Sequence, residues 1–228
     1  MKFLLILIAS AIGLTCPANA DPANKRTCRI VFPERPNDAP KSAYFFDGRE
    51  SREVILPSMN FSEVIELPTG DITILLTPNS ITDPENLPAG APKLNIPEIV
   101  RDFYILVTPD PLNATLPLKM NLVSASNGKL KVGETLWFNL TDHRIVAKLG
   151  ERKLLITPKG RTVSKSPVTD SGYYKAEFGY QAGGEGDFQR ITEQYWWHDA
   201  KSRHIGFMVN TGGKLPRIYF YRDFRLRE

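Results

Sequence analysis

The apolar residues of this chain occur in short runs, and no window longer than ten residues places them at the i, i+3, i+4 and i+7 positions of a helix face. Runs rich in β-branched and aromatic residues, bounded by Pro, Gly, Asn and Asp, are instead typical of strands. In the first half they predict strands at Cys28–Phe32, Ala43–Asp47, Glu53–Leu56, Ser62–Leu67, Ile72–Thr77, Phe103–Thr108 and Leu116–Val123. In the second half they predict strands at Glu134–Leu140, Ile145–Lys148, Lys153–Thr157, Tyr173–Tyr180, Phe188–Trp197, His204–Asn210 and Arg217–Phe224. We therefore expect an all-β protein of two tandem immunoglobulin-like or transthyretin-like antiparallel β-sandwich units.

Proline marks the ends of many of these runs. Three of them, at 74–78, 105–109 and 154–158, lead three apolar residues into Thr-Pro, where the β-branched Thr favours an extended backbone and Pro ends the pairing. Their unequal spacing excludes a solenoid repeat. The segment 78–97 contains five prolines and predicts a long, partly polyproline-like surface loop.

Composition divides the chain near residue 130. Residues 21–130 carry 11 Lys+Arg and 14 Asp+Glu, a net charge of −3, whereas residues 131–228 carry 17 and 11, a net of +6. Fifteen of the 18 prolines precede the division, and all three tryptophans follow it. The overall charge of +4 is therefore a near-cancellation, and we expect a first unit at 21–130 and a basic, aromatic-rich second unit at 131–228.

The first twenty residues have the pattern of a secretory signal peptide. Lys2 precedes an apolar stretch from Phe3 to Leu14, and Ala18-Asn19-Ala20 offers a small-residue cleavage site after Ala20. Twelve apolar residues are too few for a permanent span of a bilayer about 30 Å thick. A lipoprotein anchor at Cys16 is the competing interpretation, but Gly13 and Leu14 have the wrong sizes for a lipobox. The pattern predicts an exported protein, periplasmic, extracellular or on the cell surface, with no transmembrane segment in the mature chain.

Cleavage at Ala20 would leave Cys28 as the only cysteine. An internal disulfide is then excluded, and the fold must rely on its hydrophobic core. We expect Cys28 to be a half-buried strand residue, with an intermolecular disulfide as the alternative.

Several short motifs resemble those of secreted bacterial proteins. In the first half these are Arg29-Ile30-Val31, Asp38-Ala39-Pro40, Tyr44-Phe45-Phe46-Asp47-Gly48 and the segment 66–74. In their order they resemble a widespread uncharacterised family of secreted bacterial β-sandwich domains, the DUF4397 type. The second half, with Trp137-Phe138-Asn139-Leu140, Trp197-His198-Asp199 and Pro216-Arg217-Ile218, is similar to uncharacterised secreted proteins. The resemblance implies a sandwich fold and export, and it assigns no catalytic residue.

Three histidines are available for base or metal chemistry, at positions 143, 198 and 204. His198 and His204 flank a turn, so they could meet across a hairpin with Asp199 as a third ligand. The spacing matches no recognised metal motif, and polar residues beside a turn are the simpler interpretation. We therefore predict no metal, with His198, His204 and Asp199 as the weak candidates.

No nucleophile motif is present, and the Gly-rich stretch 181–187 lacks the Lys-Ser/Thr of a phosphate loop. That stretch also carries two carboxylates and joins two predicted strands, which indicates a hairpin loop. The sequence thus predicts a non-enzymatic protein without a cofactor, although carboxylate pairs that meet only in three dimensions stay open.

Strand alternation predicts an exposed aromatic face in the second half. Adjacent Trp196 and Trp197 must point to opposite faces, and Trp197 shares its face with Ile191 and Tyr195, so we expect Trp197 in the core and Trp196 outside. The same count places Leu136, Phe138 and Leu140 inward, with Trp137 outward. In the run from Tyr173 it places Tyr174, Ala176, Phe178 and Tyr180 inward, leaving Tyr173 outward. Trp137, Tyr173 and Trp196 are thus the candidate binding face, unless the rest of the chain packs over them.

These features predict a secreted, non-enzymatic structural or binding module of the cell surface or periplasm, with an unknown protein or glycan partner. Carbohydrate binding by the aromatic face is the first alternative. A periplasmic assembly chaperone, which also has two immunoglobulin-like domains, is the second. The C-terminal arginines, Arg217, Arg222, Arg225 and Arg227, are interrupted by acidic residues, and no nucleic-acid motif accompanies them, so a nucleic-acid partner is not expected.

Overall fold

The computed structural model describes residues 26–124, 130–181, 188–210 and 215–223. These residues form strands and connecting turns, without a helix. The strands are β1 (Arg26–Val31), β2 (Ser42–Phe46), β3 (Ser51–Ile55), β4 (Ile65–Leu67), β5 (Ile72–Thr77), β6 (Lys93–Ile96), β7 (Asp102–Pro109), β8 (Leu118–Ser124), β9 (Thr135–Asn139), β10 (Arg144–Leu149), β11 (Arg152–Ile156), β12 (Arg161–Ser164), β13 (Gly172–Gln181), β14 (Gln189–His198), β15 (Arg203–Val209) and β16 (Arg217–Asp223). The all-β prediction is confirmed.

The first eight strands form two four-stranded sheets. Sheet A has the order β4-β1-β7-β8 and sheet B the order β3-β2-β5-β6. Alternating side chains from the two sheets, among them Ile30, Phe45, Ile74 and Ile105, are fully buried between them. Cys28 belongs to this core and is completely buried, so the expectation of half-burial is wrong, and it forms no disulfide with any described residue.

The last eight strands repeat the same topology. Sheet C has the order β12-β9-β15-β16 and sheet D the order β11-β10-β13-β14, so that each strand corresponds to the one eight places earlier. Both sheet A and sheet C contain a parallel pair, β1 with β7 and β9 with β15, whereas their other pairs are antiparallel. Sheets A and C therefore contain both parallel and antiparallel pairs, whereas the sequence predicted antiparallel sandwiches.

A third apolar core lies between the two sandwiches. The outer face of sheet A contributes Tyr104 and Leu106, and the outer face of sheet C contributes Phe138, Ile205 and Phe207. Since the other two cores lie between sheets A and B and between C and D, the four sheets stack in the order B, A, C, D. Sheets A and C are thus covered on both faces, and only B and D have an outer face.

A buried ionic cluster joins sheets A and C beside this core. The Asp223 carboxylate, which is 3% exposed, accepts hydrogen bonds from Arg29 at 2.6 Å, Tyr104 at 2.8 Å and Arg203 at 3.1 Å. Arg29 and Tyr104 belong to sheet A, and Asp223 and Arg203 to sheet C. Charged groups withdrawn from water need such partners, so the cluster fixes how the two sandwiches meet.

Each of the fourteen predicted runs overlaps a strand, but β6 and β12 were not predicted. The prediction of an irregular loop throughout 78–97 is wrong at its end, because Lys93–Ile96 pairs with β5 between Pro92 and Pro97. The two prolines limit the strand without interrupting its ladder. Within the described chain, no helix has the length and apolarity needed to cross a membrane.

The predicted signal peptide at 1–20 lies outside the described residues, as do the Gly-rich residues 182–187 and both Arg225 and Arg227. The predicted division of the chain into two domains near residue 130 stays a prediction. The described strands on either side of it belong to different sheets.

Candidate functional site

Trp137 is not at the surface. Its side chain is completely buried, its ring packs on Gly206 and stacks on Phe220 at 5.7 Å, and its indole Nε1 donates to Ser164 Oγ at 3.0 Å. The outward prediction is wrong because sheet C is covered on both faces. Leu136 and Phe138, predicted to lie in the core of their own sandwich, pack instead between sheets C and A.

The prediction for the two adjacent tryptophans is reversed. Trp196 points inward, within 5.3 Å of Phe178, whereas Trp197 is 46% exposed. A β-bulge explains the error, because Thr192 lies opposite Phe178 and Arg190 lies opposite Gly179, which leaves Ile191 as an extra residue. The bulge shifts the alternation, so Ile191 packs inward although it is an even number of residues from Trp197.

Tyr173 is exposed, in the outward position that alternation predicts, and two further aromatic residues join it. Tyr173 is 70% exposed and Tyr195 is 73% exposed. Tyr173 lies opposite Trp197 in the β13–β14 ladder, and their rings meet edge to face at 5.0 Å. We call Tyr173, Tyr195 and Trp197 the aromatic patch. Sequence reasoning missed Tyr195 and Trp197 because it treated their apolar character as a sign of burial.

A row of ion pairs borders the aromatic patch on the same face. Lys175, opposite Tyr195, places its Nζ at 2.6 Å from Glu193 and 3.1 Å from Glu177, and Arg190 lies 3.0 Å from Glu193. Hydrogen bonding to Glu193 raises the pKa of Lys175, and the same bond lowers the pKa of Glu193. Both groups are therefore charged at neutral pH, and they present hydrogen-bonding atoms beside the rings.

A shallow groove continues this face beyond the ion pairs. Gly179 carries no side chain, which leaves a depression of about 330 Å³. Lining residues include Val146 and Gly179 in its floor, with Lys148, Lys153, Phe188 and Arg190 around it. A Cβ atom at position 179 would lie only 3.1 Å from the Gln189 carbonyl oxygen and 3.4 Å from Val146 Cγ2, so the glycine keeps the groove open.

Part of the corresponding outer face of sheet B is covered by the chain itself. Ile81 and Ala91, from the segment between β5 and β6, pack on Phe46 and Leu75. That connection spans 78–92, whereas the equivalent connection between β13 and β14 spans only 182–188. The aromatic patch on sheet D is not covered in this way.

The histidine cluster does not form a metal site with Asp199. His198 and His204 are fully buried with ring centroids 5.1 Å apart, but the Asp199 carboxylate binds Ser202 Oγ and the Lys201 amide. No group of three His, Cys, Asp or Glu side chains in the described part of the chain could hold a metal ion. Burial lowers the pKa of His204 to about 4 and also lowers the pKa of His198, so both rings are neutral at pH 7.

The hydrogen bond between Ser166 and His198 runs in the opposite direction to the one between a serine nucleophile and its histidine base. The single hydroxyl proton of Ser166 is donated to the Val168 carbonyl oxygen, so in its 2.8 Å contact with Nε2 of His198 the hydroxyl accepts a hydrogen bond from the ring. A serine nucleophile would instead donate its proton to the ring. The His198 Nδ1 atom has no hydrogen-bond partner among the described residues, and so no acid orients the ring.

Comparison with known proteins gave no relative, since no family model matches the chain and no curated protein is significantly similar to it. The resemblance of the first half to secreted bacterial sandwich domains therefore stays a prediction.

Proposed function

We propose that this chain is a non-enzymatic binding module, exported to the periplasm or cell surface, that binds carbohydrate on the outer face of sheet D. The observation that carries the proposal is the aromatic patch: Tyr173, Tyr195 and Trp197 lie exposed on two adjacent paired strands. Sandwiches usually cover such side chains, as the first sandwich does with Ile81 and Ala91.

Carbohydrate suits this surface because of its mixed chemistry. The C–H face of a sugar ring packs on aromatic rings, while its hydroxyl groups need hydrogen-bond donors and acceptors nearby. Lys175, Glu177 and Glu193 supply both kinds of group within the same two strands. A purely apolar protein partner would have to bury these charges, which is unfavourable.

Glycan binding by the full chain and by two variants tests the proposal. Tyr195→Ala and Trp197→Ala remove exposed rings, so we expect both to fold normally and to lose at least tenfold in affinity, about 1.4 kcal/mol. Leu112→Ala, at a side chain that is 94% exposed in the first sandwich, is the matched control. If no glycan is retained, or if the two variants bind as well as the control, the carbohydrate proposal is wrong.

The assembly-chaperone alternative has one supporting observation. The ten-residue strand β14 is at an edge of sheet D, where it pairs with β13 alone among the described strands. A long edge can accept a strand from another protein. This alternative predicts that a subunit peptide co-purifies with the protein from the periplasm and is displaced by a proline placed in β14. Recovery of the protein without a bound peptide would argue against it.

A further inference from the structure

We infer that the ligand is an anionic oligosaccharide that lies along β14, from the aromatic patch to the groove at Gly179. The inference rests on the proposed carbohydrate function and adds two properties of the ligand, its length and its charge. Each comes from a different part of the sheet D surface.

The length follows from strand geometry. Trp197 at one end and Arg190 at the other are six ladder steps apart, because Ile191 is bulged out, and at about 3.3 Å per step this is a distance of roughly 20 Å. The ion pairs of Lys175 with Glu193 and Glu177 lie between the two ends. A ligand that contacts both the aromatic patch and the groove must therefore contain several sugar units.

The charge follows from the cations around the groove. Lys148 and Lys153 lie directly opposite each other in the β10–β11 ladder, and two like charges in these positions destabilise the pairing. Neither lysine forms an ion pair with a described residue, because Glu177, which lies opposite Lys148, is within 3.1 Å of Lys175 instead. Among the described residues, the two groove lysines thus have no carboxylate partner, and a carboxylate or sulfate on the ligand would supply one.

Arg190 adds to this positive end. Its guanidinium contacts Glu193 at 3.0 Å but is 74% exposed, so it can also reach a ligand. Around the ion pairs and the groove, the described charged residues are four cations (Lys148, Lys153, Lys175 and Arg190) and two carboxylates (Glu177 and Glu193). A net positive surface attracts anionic polymers and repels cationic ones.

The first sandwich offers an internal precedent for an extended occupant. The segment 78–92, which contains Asp83 and Glu85 and no lysine or arginine, packs on Phe46 and Leu75 of the outer face of sheet B through Ile81 and Ala91. In the second sandwich the equivalent connection is eight residues shorter, since 182–188 has seven residues and 78–92 has fifteen. We assign the ligand to the place on sheet D that this segment occupies on sheet B.

Titration of the full chain with oligogalacturonates and with neutral xylo-oligosaccharides of matched length tests the inference. We expect the acidic series to bind at least tenfold more tightly at low salt, with this advantage falling at high salt and affinity rising with oligomer length. The double variant Lys148→Gln/Lys153→Gln should lose the preference but keep the neutral binding. The matched control is Lys93→Gln, an exposed lysine on β6, the counterpart of β14.

The outcomes separate this inference from the proposed function. Equal binding of both series, or an unchanged preference in the lysine double variant, overturns the anionic inference and leaves carbohydrate binding standing. Loss of all glycan binding overturns both. A synthetic peptide of residues 78–92 that binds sheet D more tightly than either series would overturn the inference in favour of an acidic peptide ligand.

Discussion

At the residue scale, the packing of Trp137 on Gly206 determines how sheets C and D are held together. The buried indole contacts Phe178, Trp196 and Phe220, so four aromatic rings from both sheets meet at one point. Only a residue without a side chain leaves room for a ring at that distance from the β15 backbone. Gly206 is thus a structural requirement of the second sandwich.

Gly206→Ala should destabilise the protein by about 1–3 kcal/mol, the range for an overpacked core. An added Cβ would lie 2.0 Å from Trp137 Cε3, so the indole or the strand must move. Chemical denaturation, followed by tryptophan fluorescence, measures the effect. Gly172→Ala, where nothing lies within 4 Å of the added Cβ, is the control. Equal midpoints for the two variants would contradict this account of Trp137.

The buried histidines predict an acid-sensitive fold. Burial lowers the pKa of His204 from 6.5 to about 4, so the unfolded chain binds a proton in this range that the native chain does not. The contribution is fully present above pH 6.5 and is lost as the pH falls towards 4, by at most about 3 kcal/mol. Denaturation midpoints between pH 7 and 4 measure this loss. His204→Phe, which keeps a ring against Phe220, should flatten the dependence, and an equally steep loss in that variant would contradict it.

At the element scale, the sequence predicted strands well and their faces poorly. Fourteen strands could be predicted because runs of β-branched and aromatic residues end at proline or at turn residues. The short strands β6 and β12 have four residues each, too few for a recognisable alternation. The extra residue Ile191 changed the face of every later side chain in β14, and nothing in the local sequence marks a bulge there.

Only one member of the aromatic patch, Tyr173, could be placed from the sequence, because the bulge in β14 changed the faces of Tyr195 and Trp197. Tyr173 lies in the regularly paired part of β13, away from the bulge, and alternation placed it correctly. Trp137 could not be placed, because a strand between two cores is buried on both faces and the sequence does not reveal the second covering sheet. The sequence signal for burial on both sides was the presence of apolar residues on both faces of β9.

Arg26 shows how one side chain can hold the connections of the first sandwich. Its buried guanidinium donates to the carbonyl oxygens of Val100 at 3.0 Å, Pro97 at 2.9 Å and Pro68 at 3.1 Å, and to that of Gly70 as well. These carbonyls lie in the connections before β5 and before β7. The rigid fork of an arginine can reach both connections at once.

Arg26→Lys should therefore destabilise the protein by about 2–3 kcal/mol, since a single ammonium group leaves some of these buried carbonyls without a donor. Thermal unfolding measures the change. Arg49→Lys, at an exposed arginine in the β2–β3 turn, should have little effect. A small change in the Arg26 variant would show that water replaces the lost donors.

At the scale of the whole molecule, the two sandwiches dock through equivalent sheets. Sheet A of the first and sheet C of the second have the same strand order, and each contributes its outer face to the shared core. The repeated topology has no obvious trace in the sequence, since the Thr-Pro runs fall on β5, β7 and β11, which are not counterparts. Docking leaves the outer face of sheet D as the uncovered end of the stack.

Asp223→Asn should weaken this docking strongly. The carboxylate is the acceptor for Arg29, whose guanidinium is also buried, and removing one partner of a buried pair costs about 3–5 kcal/mol. Asp142→Asn, in an exposed pair with Lys159, should cost less than about 1 kcal/mol. Limited proteolysis between the sandwiches, together with denaturation, measures both. Similar behaviour of the two variants would contradict the role of the buried cluster.

The central claim is that the outer face of sheet D binds the ligand. Hydroxyl-radical footprinting of the full chain, with and without an oligogalacturonate, tests it most directly by measuring oxidation at each aromatic residue. We predict that the ligand protects Tyr173, Tyr195 and Trp197 and leaves Met59, which is 87% exposed in the first sandwich, oxidised as before. Unchanged oxidation of all three aromatic residues while the glycan is bound, or protection at Met59 instead, would contradict the claim.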